Sequence, residues 1–299
     1  MTRRREKFET RQYMVDPYFE FHHYYDEEPL SVPLHQHTFY ELYFFISGNV
    51  SYHIEGKDYH LLPGDILITN DMDIHGPVIM PGLPYERIVI WLSPEFFDAL
   101  APLGTPFRDF FIETASRDYR LIRPDPRSGR RLMDLCGQIA DLKHDDAFGG
   151  KALYGARMIE LLTYLGRAVQ ETPDLAMPDV TEDERINRVL DYINARLTED
   201  LSLKEISEAF YMSDKYLCRR FRKYTGLSVY SYITKKRLIT ARNMIRDGAP
   251  VLTACMDSGF NDYSNFLRSF SKIVGMSPSQ YRKQLKQYRK KEVDTGMQL

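Results

Sequence analysis

Ser202-Leu-Lys-Glu-Ile-Ser-Glu-Ala-Phe-Tyr-Met-Ser213, continued by Asp214-Lys-Tyr-Leu-Cys-Arg-Arg-Phe-Arg-Lys-Tyr224, reads as a short helix, a tight turn and a second helix. The pattern returns at Val251-Leu-Thr-Ala-Cys-Met-Asp-Ser-Gly-Phe260, followed by Asn261-Asp-Tyr-Ser-Asn-Phe-Leu-Arg-Ser-Phe270. In each second helix an i,i+4 pair, Leu217 with Phe221 and Phe266 with Phe270, supplies an apolar face that pins the helix to a core. The outward faces then carry Lys215, Cys218, Arg219 and Arg222 on one helix and Tyr263, Ser264, Leu267 and Arg268 on the other. Polar and cationic groups on an anchored helix suit the major groove of double-stranded DNA. Arg219 is the candidate for a bidentate guanine contact, and Arg222 is better placed for phosphate. Leu267 has only a thymine methyl or local packing open to it.

Working outward, Val229 to Arg246 is predicted as one helix closed by Asp247-Gly248. It spans roughly 27 Å at ~1.5 Å per residue, close to the ~34 Å between successive major-groove faces on one side of B-DNA. One chain thus reads a direct, non-palindromic site. Lys235, Lys236 and Arg237 on this helix are candidate phosphate contacts. Ser202-Leu-Lys-Glu205 and Thr181-Glu-Asp-Glu184 have the form of capping boxes, the second opening a helix with Ile186, Val189, Leu190, Ile193 and Leu197 inward. Ser213 and Ser228 stand where N-caps belong.

The net charge of −2 conceals an asymmetry. Residues 1–180 hold 18 Lys/Arg against 28 Asp/Glu, a net of −10, and residues 181–299 hold 22 against 14, a net of +8. Only the C-terminal part is expected to meet a polyanion. No apolar run approaches the ~20 residues of a membrane span, and Met1-Thr-Arg-Arg-Arg lacks the apolar core of a secretion signal. Cys136, Cys218 and Cys255 are scattered, with neither a CxxC clip nor a disulfide frame. A cytoplasmic protein without a membrane partner is expected.

The N-terminal half alternates short strands with turns. Glu41-Leu-Tyr-Phe-Phe-Ile46, Val50-Ser-Tyr-His-Ile54, Tyr59-His-Leu-Leu62, Asp65-Ile-Leu-Ile-Thr69 and Arg87-Ile-Val-Ile-Trp-Leu92 are punctuated by Gly48-Asn49, Glu55-Gly56 and Pro63-Gly64. This spacing predicts an all-β barrel or double-sheet jelly roll. Helical stripes follow: Leu132, Leu135, Cys136, Ile139 and Leu142, then Leu153, Met158, Leu161, Leu162, Leu165 and Val169. The second stripe is wide enough to want more than one partner, which leaves packing across the barrel and a homodimer contact both open.

Within the strands, His35-Gln-His37, Glu41, Pro63-Gly-Asp65 and His75 form the strongest chemical constellation. Histidines at i,i+2 share a face of a strand, and Glu41 four residues on can join them in the barrel interior. Imidazoles with a carboxylate suit Fe, Mn, Ni or Zn. They also suit a polar small-molecule effector such as a sugar, the preferred reading, or hydrogen bonds to one another, with Phe39, Tyr40, Tyr43, Phe45 and Tyr52 flanking as stacking surfaces or as core. No resident cofactor is required, a divalent metal being the alternative at the same four residues. His22-His23 and His53 lack partners at ligand spacing and read as surface or core histidines. There is no Gly-x-Ser-x-Gly elbow and no phosphate-cradling loop.

The tandem motif, with Gly259-Phe260, Phe266, Arg268, Phe270, Gly275-Met-Ser-Pro278 and Tyr281-Arg282, resembles the AraC/XylS family of bacterial transcription regulators over about residues 183–285. That resemblance implies base contacts from Lys215, Cys218, Arg219, Tyr263, Ser264, Leu267 and Arg268. It also implies a regulator rather than an enzyme, more often an activator than a repressor, with RNA polymerase as a further partner. His35-Gln-His37, Glu41, Gly48, Pro63-Gly-Asp65 and His75 are similar to the two motifs of the cupin superfamily over roughly residues 30–92, with Asn70-Asp71 where cupins often carry proline. A metal-dependent cupin enzyme with an accessory DNA-binding domain is the rival reading.

The expected fold class is therefore α+β in two domains. Residues 1–15 are a flexible arm, 16–125 an effector-binding cupin barrel, 126–172 a helical hairpin and possible dimer contact, 173–182 a linker, and 183–290 an all-α tandem helix-turn-helix domain.

Overall fold

Glu41-Leu-Tyr-Phe-Phe-Ile46 is apolar on both faces because both faces are covered. The strand holding it, β2 (Tyr40–Ser47), is central in a five-stranded antiparallel sheet ordered β1-β7-β2-β5-β8. Its companions are β1 (Phe19–Asp26), β5 (Ile66–Thr69), β7 (Tyr85–Leu92) and the short β8 (Leu121–Ile122). A second sheet, ordered β6-β3-β4-β9, is built from β3 (Val50–Ile54), β4 (Lys57–His60), β6 (His75–Ile79) and β9 (Val180–Glu182). The computed structural model describes residues 5–8, 11, 13–28, 30–71, 73–116, 120–171, 180–182, 184–274 and 276–283. The chain divides into two compact units, residues 1–181 and 182–299.

Period-two alternation sorts the N-terminal side chains into two cores. Leu42 and Phe44 of β2 join Phe19, Phe21, Ile88 and Ile90 on the outer face of the five-stranded sheet. Helices cover that face: α1 (Pro94–Leu100), α2 (Phe107–Ser116), α3 (Pro126–Leu142) and α4 (Gly150–Glu171). Tyr43 and Phe45, one residue out of step, join Tyr24, Tyr52, Tyr59, Val89 and Trp91 between the sheets. The expected barrel is present. β1, β6, β8, α1 and α2 add elements that the sequence pattern did not delineate.

The two helical stripes pack as an antiparallel pair against the sheet, with Leu132, Leu135, Cys136, Ile139, Met158, Leu161, Leu162, Leu165 and Val169 buried. The wide stripe thus finds its second partner in the barrel. Leu153 departs from it, being 53% exposed. The segment expected as a flexible arm also differs where it is described. Glu6 bridges Tyr24 in parallel register, Phe8 stands edge-on to the Tyr24 ring, and Arg11 pairs with Glu20. Cationic and aromatic groups give these residues specific partners on the barrel.

Among the described residues from Glu184 on, the elements of the C-terminal unit are helices: α5 (Glu184–Ala195), α6 (Leu203–Ala209), α7 (Asp214–Thr225), α8 (Val229–Arg246), α9 (Val251–Asp257) and α10 (Tyr263–Val274). Ser202, Ser213 and Ser228 cap α6, α7 and α8 by accepting from Glu205 N, Tyr216 N and Ser231 N. Of the capping box expected at Thr181–Glu184, Thr181 lies in β9 and Asp183, the residue before α5, lies outside the described residues, as do Thr172 at the end of the expected hairpin, 173–179 of the expected linker and Gly275 of the C-terminal motif.

Candidate effector site and nucleic-acid interface

The barrel site is assembled from three chain segments. Glu41 sits on the inward face of β2, opposite Trp91 in the β2–β7 register. His35 and His37 precede β2 in an extended segment and are not strand neighbours of Glu41, as the spacing alone suggested. His35 is instead bridged to His75, the first residue of β6, by reciprocal backbone hydrogen bonds of 2.9 and 3.0 Å. The four residues singled out in the sequence are thereby brought together.

Their hydrogen bonds set the chemistry. Nδ1 of His35 lies 3.0 Å from the Pro33 carbonyl, Nδ1 of His37 2.8 Å from that of Phe39, and Nδ1 of His75 3.1 Å from that of Asp73. A carbonyl only accepts, so each Nδ1 carries a proton and it is Nε2 of each ring that is left to face the cluster. The three histidines place one ligand atom each within 4.8 Å of one another. Nε2 of His37 and of His75 are buried without a hydrogen-bond partner. They lie 3.4 and 3.9 Å from the Glu41 carboxylate. A lone pair turned toward a carboxylate is unfavourable unless a cation, a proton or a metal ion, is shared between them.

Glu41 is held from its other side. Its oxygens accept from Trp91 Nε1–H at 2.9 Å and Tyr52 O–H at 3.2 Å. Burial works against its charge, but the contact with His37 outweighs it and holds the carboxyl down at about 2. Burial above all pushes His75 well below 6.5, so that ring stays neutral. Trp91 and Tyr52 were not singled out in the sequence as partners of Glu41. The available signal was their place at inward positions of β7 and β3. The adjoining cavity is about 40 Å³ and is lined also by Arg11, Tyr24, Tyr43, Tyr85 and Arg87. That volume suits a water or an ion, far below the ~300 Å³ at the lower end of small-molecule pockets. His22, His23 and His53 lie elsewhere and face Glu6 with Glu20, Glu86, and Asp58 respectively.

In the C-terminal unit, Leu217, Phe221, Phe266 and Phe270 are fully buried, which fixes the rotation of α7 and α10. Lys215, Cys218, Arg219 and Arg222 are exposed on α7, as are Tyr263, Ser264 and Arg268 on α10. Leu267 is half-buried and packs on the second module's core. The α8 cations do not match the expected phosphate contacts. Lys236 is buried and lies over the Tyr232 ring, Lys235 is half-buried, and Arg237 bonds to the Leu197 and Glu199 carbonyls.

A β-barrel with a buried polar cluster joined to a tandem helix-turn-helix defines an effector-responsive, DNA-binding transcription regulator. An AraC-like ligand binding domain matches residues 16–162 and a helix-turn-helix domain matches residues 206–284. The chain belongs to the AraC/XylS family, with the cupin-like sensor at its N-terminal side. It is 24% identical to the HTH-type transcriptional activator RhaS of Salmonella schwarzengrund over 251 residues, 84% of this chain and 87% of that protein. Among solved structures, a ToxT variant from Vibrio cholerae is 11% identical over 90% of this chain and 98% of its own, with a TM-score of 0.40. The C-terminal domain of the response regulator AraT from Geobacillus stearothermophilus is 27% identical over 34% of this chain and 86% of its own, with a TM-score of 0.33. Among the described residues no helix is long and apolar enough to cross a membrane.

Proposed function

We propose that this regulator reads a promoter through α7 and α10 and that its sensor responds to a divalent metal ion held by His35, His37, His75 and Glu41. The observation that carries the sensor reading is the pair of buried, unpartnered Nε2 atoms beside an ionised carboxylate. Each Nδ1–H is anchored on a backbone carbonyl, the outer-shell arrangement that orients metal-ligating imidazoles. Zinc–nitrogen bonds of ~2.1 Å at tetrahedral angles put ligand atoms about 3.4 Å apart, so imidazole atoms now within 4.8 Å of one another close by up to roughly an ångström and a half on binding. Such an ion supplies a compact positive charge and a Lewis-acid position for an oxygen of a small effector. Tyr52 and Trp91 orient Glu41, and the His35–His75 bridge keeps two ligands in one register.

Base contacts from Lys215, Cys218, Arg219, Tyr263, Ser264 and Arg268, with phosphate contact from Arg222, belong to the same proposal. So do activation through RNA polymerase, action in the cytoplasm without catalysis, and a homodimer. Leu153 on α4 is an apolar side chain that a second copy would cover. A carbohydrate effector, the alternative raised by the flanking aromatics, requires the cavity around Tyr43 and Tyr52 to expand several-fold first.

Titration calorimetry of the full chain with Zn²⁺ or Mn²⁺ tests the sensor. One ion per chain is expected, with binding abolished in His37→Ala and His75→Ala. Duplex affinity, measured on sequences selected from a random pool, is expected to differ several-fold between ion-loaded and ion-free protein. A chain that takes up no ion, with both variants matching the wild type, eliminates the metal and leaves a polar organic effector at these residues.

A further inference from the structure

Arg237 leaves α8 toward the end of α5. Its Nε donates to the Leu197 carbonyl at 2.7 Å and its Nη2 donates to the Glu199 carbonyl. Carbonyls just past a helix C-terminus have no intrahelical donor, and a guanidinium fork can satisfy two of them in one plane. The third face of this contact is Gly259, in the turn between α9 and α10. It adopts φ +91°, and a Cβ there would lie 2.8 Å from the Leu197 oxygen, 2.9 Å from Arg237 Nε and 2.9 Å from Thr198 Cα. Position 259 thus excludes a side chain twice over, by backbone conformation and by contact. The end of α5 in the first module, the connecting helix and the turn of the second module meet at this point. Beside it lies a cleft of about 350 Å³ bordered by Ser202, Tyr230 and Asn261.

We propose that Arg237 and Gly259 form a positioning junction that fixes the separation and tilt of α7 and α10, and with them the half-site spacing one chain accepts. This rests on α7 and α10 being the base-reading helices. The junction contacts no base itself. It converts a stiff protein geometry into a preference for distance along DNA, in the way half-site spacing follows reader spacing.

Selection of the full chain on a random duplex pool, followed by sequencing, tests it. The wild type is expected to recover two half-motifs at one spacing. Arg237→Ala is expected to recover the same half-motifs at several spacings and to bind the best wild-type site roughly tenfold or more weakly, the scale of losing a charge-assisted hydrogen-bond pair. Arg237→Lys, which keeps one donor, should restore part of the spacing preference. Gly259→Ala, which pushes on the contact from the other side, should broaden it. If Arg237→Ala does not fold, Arg237→Lys decides by the same readout. Variants that keep the wild-type spacing overturn the junction alone. A wild type that recovers no paired half-motif overturns the junction together with the base-reading assignment.

Discussion

His22 shows how much one side chain can tie together. It lies 3.0 Å from Glu6 and 3.1 Å from Glu20, and its ring stacks on Tyr24 at an interplanar angle of 2°. Burial lowers its affinity for a proton, but the hydrogen bonds to Glu20 and Glu6 outweigh burial and raise it above 6.5. A folded value above the unfolded one stabilises the fold fully below pH 6.5, and that stabilisation disappears as pH rises through the folded value. Melting temperature should therefore fall between pH 6 and pH 9 more steeply for the wild type than for His22→Asn, and parallel curves would refute the coupling. Glu6 and Glu20, both held at about 2, act in the other window. Their contribution is present above 4.5 and is lost as pH drops toward 2. From sequence, His22 read as a lone histidine because Glu6 arrives from a separate segment, although Glu20, two residues back on the same strand, shares its face. The His35, His37, Glu41 and His75 set was legible because ligand-type residues are rare and their spacing is short. That His35 pairs with His75 was not legible, since a bridge between separate segments leaves no periodic mark.

Elements were legible where an apolar face or an unbroken apolar run stands out, as in β2, β5 and β7, and obscure where polar residues, glycine or proline interrupt it. α7 and α10 each alternate buried anchors with exposed polar residues, so Leu217, Phe221, Phe266 and Phe270 stand out at helical spacing. β1 is buried at Phe19 through Tyr24, and its Phe-Glu-Phe-His-His-Tyr run has neither a clean apolar alternation nor flanking turn glycines. β6 carries Gly76 and Pro77, which ordinarily argue against a strand; Pro77 fits here because β6 is an edge strand. The Lys235–Arg237 run illustrates the reverse error, since charge alone suggested an outward face and the stems in fact run inward. For the readers themselves, Arg219→Ala or Arg268→Ala should cost about 1–3 kcal/mol on the selected duplex and relax base preference at one position. Equal loss on every duplex would instead identify phosphate contacts. Gly226 ends α7 at φ +69° with its N–H on the Arg222 carbonyl, so the Arg222 backbone is held while its side chain stays exposed.

At the scale of the molecule, an acidic sensor is joined to a basic reader, and the charge step between residues 180 and 181 falls beside the boundary between the two compact units. Residues 182–299 should therefore bind duplex DNA alone, with log affinity falling linearly with log salt at a slope of about −0.9 per phosphate contacted. A fragment inert at low salt in a fluorescence anisotropy titration would show that the reader depends on the sensor for its fold. The division was legible because composition changes sharply there; the strand β9 beside it was not, since three residues carry no period. The double burial of β2 and β7 has a further consequence for how such a sensor diversifies. Positions 41, 43, 89 and 91 face the chamber, while 42, 44, 88 and 90 hold the helices. Selection for a new signal can rewrite the odd-numbered register as a chemical alphabet while the even-numbered one keeps the scaffold standing. A saturation mutagenesis map of these strands should accordingly show tolerance that flickers from one residue to the next.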